Sequence, residues 1–302
     1  MLKKMSESRR IAMVIAIFVI LLGIGTFWDL AISNAVMSQN SYIATFLQNY
    51  ACFPVGVVIM MSGEIIIHHA IRSSQPMIAK LLIVIAGVGL AFYGIWYYLK
   101  FAIQYTLSSI QNVEHNRPIG QANNDGGANP TLSTAINIII CFVVFAIATV
   151  IIQNWLRRKT AEELDRLMRV AILGIAVAFV YLMCVEEIKI LWGRVRPYEL
   201  NAAQDNFTPW YKMNGPTGHK SFPSGHSCES MFALFFPLYA SPKNIKLRKN
   251  LLIFGITWGA ITAISRVLLG CHFFSDATMG AFIIIFLIFV GTRCAQLNLV
   301  KE

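Results

Sequence analysis

Charge is scarce in this chain, and acidic charge scarcer still: 13% of its 302 residues are charged, and 15 acidic residues face 25 basic ones. A soluble domain of this length carries far more charged surface. That shortage, with 56% hydrophobic residues and a mean hydropathy of +0.60, points to the bilayer. Cysteine brings no chemistry of its own. The six thiols, at 52, 141, 184, 228, 271 and 294, include no CxxC pair and no zinc-like spacing, so they read as small buried hydrophobes. No small-residue cleavage site follows the first apolar run, which is read as an uncleaved helix behind Lys3, Lys4, Arg9 and Arg10. A continuous basic stripe is also missing. The net charge of +10 lies in short clusters between apolar runs, which argues against nucleic acid as a partner.

Long apolar runs are what the chain has. Runs able to cross a hydrocarbon layer of about 30 Å occur near 11–33, 52–70, 78–100, 135–155, 168–188, 250–268 and 276–296. An eighth, near 225–240, is shorter and carries Ser227, Glu229 and Ser230 at its start. Charge bias favours counting it, because short cytoplasmic loops collect Lys and Arg. The predicted fold is therefore all-α, a polytopic transmembrane helical bundle of about eight spans with the amino terminus inside. This topology leaves Lys189, Arg194, Arg196, Lys212, Lys220 and Arg266 on the outer face, against the bias. A bound anion would be a local reason for them. The outer loop near 103–134 holds the turn-rich run Asn123 to Gly127 and is predicted to be flexible. Thr160 to Arg169 reads as a short inner connector whose Glu162 and Arg166 share a solvated helix face.

Three segments of that outer face carry candidate chemistry. In the first, Lys189 and Arg196 stand seven residues apart before Pro197. If the helix persists they share one face, and a planar guanidinium can grip two phosphate oxygens at once. Snorkelling interfacial cations are the plain alternative. The second, Pro223-Ser224-Gly225-His226, can form an anion-binding helix start, or an ordinary turn and cap. In the third, running from Ser265 and Arg266 to His272 and Asp276, the histidine and carboxylate are four apart. One helical turn would let Asp276 hold one imidazole nitrogen and free the other to attack, although such a pair also serves as a helix cap. Each segment alone is ambiguous. All three fall on one side of the membrane.

These segments match the signature KxxxxxxRP, PSGH and SRxxxxxHxxxD, and with them the chain resembles the PAP2 (type 2 phosphatidic acid phosphatase) superfamily, in its integral-membrane lipid phosphate phosphatase branch. The resemblance covers 135–296 and implies a division into 1–134, N-terminal transmembrane helices and outer loop, and 135–302, a catalytic membrane domain. It implies a metal-independent enzyme without cofactors, in which His272 attacks phosphorus, Asp276 orients it and His226 protonates the leaving oxygen. Lys189, Arg196, Ser224, Gly225 and Arg266 would hold the phosphate. The implied partners are a lipid phosphate and the bilayer itself, with undecaprenyl pyrophosphate, phosphatidylglycerophosphate and phosphatidic acid as candidate substrates. The expected location is a bacterial plasma membrane with the site on the outer face. Rival readings are a lipid phosphotransferase using the same histidine, and a non-catalytic protein that binds or transports phospholipid headgroups. The family leaves residues 1–100 without a role.

Four groups of residues are set aside. Glu64 and His68 read as an interfacial pair near the cytoplasmic end of the second span. Glu186 and Glu187 are expected to support the cationic cluster. His219, Arg194 and Lys220 read as surface-loop residues as readily as headgroup contacts. Trp192, Trp210 and Tyr211 suit interfacial anchoring.

Overall fold

In a computed structural model of the chain, residues 7–121 and 130–299 are described. The Asn123 to Gly127 run lies outside them, as do Lys3, Lys4 and Lys301. Among these residues ten α-helices follow one another: α1 (Glu7–Val36), α2 (Tyr42–Tyr50), α3 (Phe53–Arg72), α4 (Met77–Glu114), α5 (Thr134–Leu156), α6 (Ala161–Trp192), α7 (Gly225–Met231), α8 (Phe236–Tyr239), α9 (Ile245–Leu268) and α10 (Phe274–Cys294). Among the described residues there is no strand, and seven helical segments are long and apolar enough to cross a membrane. The chain is an all-α bundle built as an integral membrane protein.

The eighth expected crossing takes an unusual form. Residues 225–239 are α7, a 3-10 turn at Phe232–Phe235, and α8 with Pro237 in its first turn, too short and broken to count among the seven. The segment nevertheless runs the length of the bundle. At its start Gly225 faces Lys189, near the end of α6; beyond its other end, Arg166 in the first turns of α6 donates to the carbonyls of Leu238 and Ala240. Because Cys228, Phe232, Phe235 and Leu238 are buried among α3, α6 and α10, the segment meets protein on its sides. A broken helix survives at that depth because protein surrounds it.

The same contact corrects the reading of Arg166, which caps buried carbonyls instead of lying on a solvated face. The N-cap of α6 is Thr160, whose hydroxyl accepts from Glu163 N while the Glu163 carboxylate accepts from Thr160 N, a reciprocal cap that fixes where the helix begins. Packing is led by α3 against α4, along a stripe that includes Gly56, Gly63, Gly87 and Gly94, and by α3 against α6. The N-terminal helices also reach the C-terminal half: α1 packs on α10, and α2 on α9. Four of the six cysteines are buried as expected, but Cys184 and Cys294 are exposed.

Candidate active site

The first motif begins on α6 and leaves it early. Lys189 lies in the last turn, and Gly193 closes the helix in the left-handed conformation, φ +48°, donating its N–H to Lys189 O. A side chain there would also collide with Gly215 O. Gly193 ends the helix before Arg196, so Lys189 and Arg196 do not share a helical face. Arg196 arrives from the extended segment beyond, beside Glu199 at 4.0 Å. Lys189 Nζ pairs with Glu186 at 2.5 Å, and Glu186 also takes Lys220 at 3.3 Å. Its neighbour Gly225 would bring an added Cβ within 3.2 Å of that ammonium.

The second motif caps α7. Ser224 is fully buried; its Oγ accepts from Ser227 N and Ser227 Oγ, and its own N–H donates to Asp276 O at 3.0 Å, which ties the second motif to the third. His226 Nε2 donates to the backbone carbonyl of Gln48 on α2 at 3.0 Å, and its ring packs edge-on against Tyr105.

The third motif follows α9. Arg266 is 2% exposed, and its Nη1 donates to Gln48 Oε1 at 2.9 Å, while its Nε is buried without a hydrogen-bond partner. Buried guanidinium nitrogens are rarely left unpaired. His272, in the turn before α10, is 3% exposed, and its Nδ1 donates to Ser221 O at 2.6 Å. That bond fixes the hydrogen on Nδ1 and leaves Nε2 with its lone pair. The carboxylate of Asp276 lies farther off, with Oδ2 4.0 Å from His272 Nδ1. The expected direct His–Asp bond is therefore replaced by a backbone carbonyl, with Asp276 behind it. Burial and then the cations of Arg196, Arg266 and Lys189, together with His226, hold the His272 imidazole well below its ordinary pKa. All four groups act on one ring.

Asp276 itself is saturated. Its Oδ2 accepts from Ser221 Oγ at 2.6 Å and from Phe273 N at 2.8 Å, and its Oδ1 accepts from Arg194 Nη1 at 2.5 Å. Arg194 is no surface-loop residue. It is wholly buried, stacked at 4.3 Å over Phe273, and donates also to Thr208 O, Ser275 Oγ and Asp29 Oδ2. Asp29 belongs to α1, and neither it nor Gln48 was singled out from the sequence. Of the other residues set aside, His219 pairs with Glu199, and Trp192 and Trp210 stack on Phe222 in the packed loop. Tyr211 is exposed. Among the described residues, no three His, Cys, Asp or Glu side chains are grouped to hold a metal ion.

A cavity of about 180 Å³ adjoins these groups. Lys189, Gly225 and His226 line one part, and Tyr97, Tyr181 and Glu229 another, with both tyrosine hydroxyls donating to Glu229 Oε1. The covered His272 is not on its wall.

Three cations, two imidazoles and a helix start are gathered at one end of an apolar helical bundle, an arrangement that suits a phosphate group. The comparison with known families agrees: the model of the PAP2 superfamily matches residues 169–299, and this part of the chain belongs to that superfamily. Its members are generally phosphatases. No curated protein and no solved structure gives a significant match.

Proposed function

We propose that the chain is an integral-membrane phosphatase that hydrolyses a lipid-linked phosphate or pyrophosphate through a phosphohistidine on His272. The observation that carries the reading is the geometry at that residue: its Nδ1 faces Ser221 O, which leaves the lone pair on Nε2, and Arg266 Nε is buried and unpaired, while the charges of Lys189, Arg196 and Arg266 act on the ring. A dianionic phosphate supplies acceptors and charge that this arrangement lacks.

In the first step His272 Nε2 attacks phosphorus and the bond to the lipid oxygen breaks, with His226 giving that oxygen its proton. Its Nε2 hydrogen is committed to Gln48 O, so the proton it gives is one held on Nδ1 of a cationic His226, a charge that the bound phosphate dianion favours, and the same Nδ1 is then free to accept. In the second step water attacks phosphorus, the P–N bond breaks, His226 takes the water proton, and inorganic phosphate leaves. Lys189, Arg196, Arg266, Ser224 and Gly225 steady the equatorial oxygens in both steps, and no step calls for a metal. The cavity below Lys189 and His226 suits the part of the lipid nearest the phosphate, because apolar and hydroxyl-bearing walls meet there. The expected location is a bacterial plasma membrane, and the overall charge bias of the loops supports the outer face for the site.

The test is phosphate release in detergent from phosphatidic acid, phosphatidylglycerophosphate and undecaprenyl pyrophosphate, with EDTA present. Free phosphate from at least one of them, lost in His272→Ala, is the expected result. Phosphate moved onto another lipid makes the protein a transferase instead, abolition by EDTA removes the metal-free mechanism, and unchanged lipid capture by His272→Ala without any turnover leaves a binding protein.

A further inference from the structure

The N-terminal helix α1 lies outside the matched segment and turns most of its apolar surface outward, yet Asp29, the one acid in its apolar span, is 2% exposed. Asp29 Oδ1 accepts from Ser275 N at 2.8 Å; Asp29 Oδ2 accepts from Ser275 Oγ and from Arg194 Nη2 at 2.9 Å. Gly25, one turn earlier, makes the approach possible, since an added Cβ would come within 2.7 Å of Ser275 Cβ. The docking is fixed on either side: Trp210 Nε1 donates to Thr26 Oγ1 at 2.9 Å, and Asn34 and Gln204 exchange two side-chain hydrogen bonds. Thr26, Asp29 and Asn34 therefore present one side of α1 to the segments that build the site.

We propose that Asp29 is a positioning residue for the phosphatase reaction, acting through Arg194 and Asp276 on His272, so that the site is incomplete without α1. The argument is electrostatic. Asp276 is the carboxylate nearest His272, and alone with Arg194 it would be neutralised by a guanidinium at 2.5 Å. Asp29 takes the other end of the same guanidinium. Two carboxylates sharing one cation leave a net negative charge behind the imidazole as it becomes positive on attacking phosphorus. The bonds from Asp29 also hold Ser275, the residue before Asp276, at the start of α10, fixing the backbone that carries the carboxylate. The other charged or titratable groups facing His272 are Arg196, Arg266, Lys189 and His226. All of them oppose protonation, so Asp276, maintained by Asp29, is the counterweight.

The inference rests on the proposed reaction, and two assays on the full chain separate their failures. Asp29→Asn keeps the shape and removes the charge. In phosphate release from phosphatidic acid it is expected to lower kcat about ten- to a hundredfold with KM changed less than about threefold. It should also move the acid limb of the kcat/KM profile to lower pH, because the imidazole loses negative charge nearby. Asp29→Glu restores part of kcat. The milder Ser275→Ala, which removes the hydroxyl between Asp29 and Arg194, serves if Asp29→Asn does not fold, with a smaller loss of kcat expected. A folded Asp29→Asn with wild-type kcat and an unmoved acid limb overturns the proposal, as does Ser275→Ala with wild-type kcat. Binding of orthovanadate, read by thermal shift, is the second assay. A wild-type protein that neither binds vanadate nor releases phosphate fails the functional reading itself, whereas a wild-type protein that does both, with kcat unchanged in a folded Asp29→Asn, overturns only the role of Asp29.

Discussion

Two buried carboxylate clusters occupy opposite ends of this bundle, and they are alike in everything except what surrounds them. At one end Asp276 and Asp29 share Arg194 behind His272. Toward the other, Glu64 of α3 is wholly buried and accepts from Thr149 Oγ1 at 2.5 Å and Gln153 Nε2 at 2.7 Å of α5; Gln153 Oε1 then meets His68 Nδ1 at 2.9 Å. The expected interfacial Glu64–His68 pair is thus an interior bridge between helices. Both clusters place a carboxylate and a histidine within one turn of a helix, and both satisfy their lone pairs. Only the first faces three cations and an unpaired guanidinium nitrogen. The lesson is that a buried acid in a membrane bundle marks structure or chemistry equally well, and the charge of its surroundings separates the two.

The sharpest way to break this comparison is to delete each histidine. His272→Ala should abolish turnover, by more than about a thousandfold, since removing a nucleophile costs far more than removing one supporting contact. His68→Ala should leave kcat within about threefold. Equal losses in the two variants would erase the distinction between a catalytic cluster and a structural one.

Stability should divide the clusters less widely. Arg194→Leu leaves two buried carboxylates facing each other without their cation, and breaking such a buried pair costs about 3–5 kcal/mol. Gln153→Leu strands one carboxylate that keeps Thr149, and losing a buried hydrogen bond there costs about 1–3 kcal/mol. Thermal unfolding in one detergent, compared at matched protein concentration, checks the order. A Gln153 variant that unfolds before the Arg194 variant would make the far-end cluster the stronger structural element.

How much of this was legible beforehand depends on distance along the chain. Long apolar runs are one-dimensional signals, so the bundle and its seven long crossings could be read directly. The eighth was doubtful because a segment sheltered by protein needs neither the length nor the unbroken helix that lipid demands. Lys189, Arg196, His226, Arg266, His272 and Asp276 sit in motifs whose spacing is local, and the structure brings them together. Their partners are not local. Arg194 meets Asp29 across 165 positions and His226 meets Gln48 across 178. The acceptor for His272 is a backbone carbonyl, which no residue type announces. One signal was present and passed over: Asp29 is the lone acid in the first apolar run, and an ionisable residue at such a place invites a functional reading by default.

The smallest predicted effect lies in the pH profile, and it sharpens the comparison by asking what the surrounding charge does to the nucleophile. Burial, then Arg196, Arg266 and Lys189, depress the pKa of His272, so the nitrogen proposed to attack stays unprotonated well below the usual imidazole range. On the acid side, activity is lost as the ring gains a proton. The acid limb of kcat/KM should therefore fall below about pH 6.5, the ordinary histidine value. Lys189→Gln removes one of the opposing cations and makes protonation easier. Beyond its cost in phosphate binding, it should carry that limb upward, the reverse of the shift expected for Asp29→Asn. A limb already above pH 6.5 in the wild-type enzyme, or one that moves the same way in both variants, would mean that the cations do not govern the nucleophile.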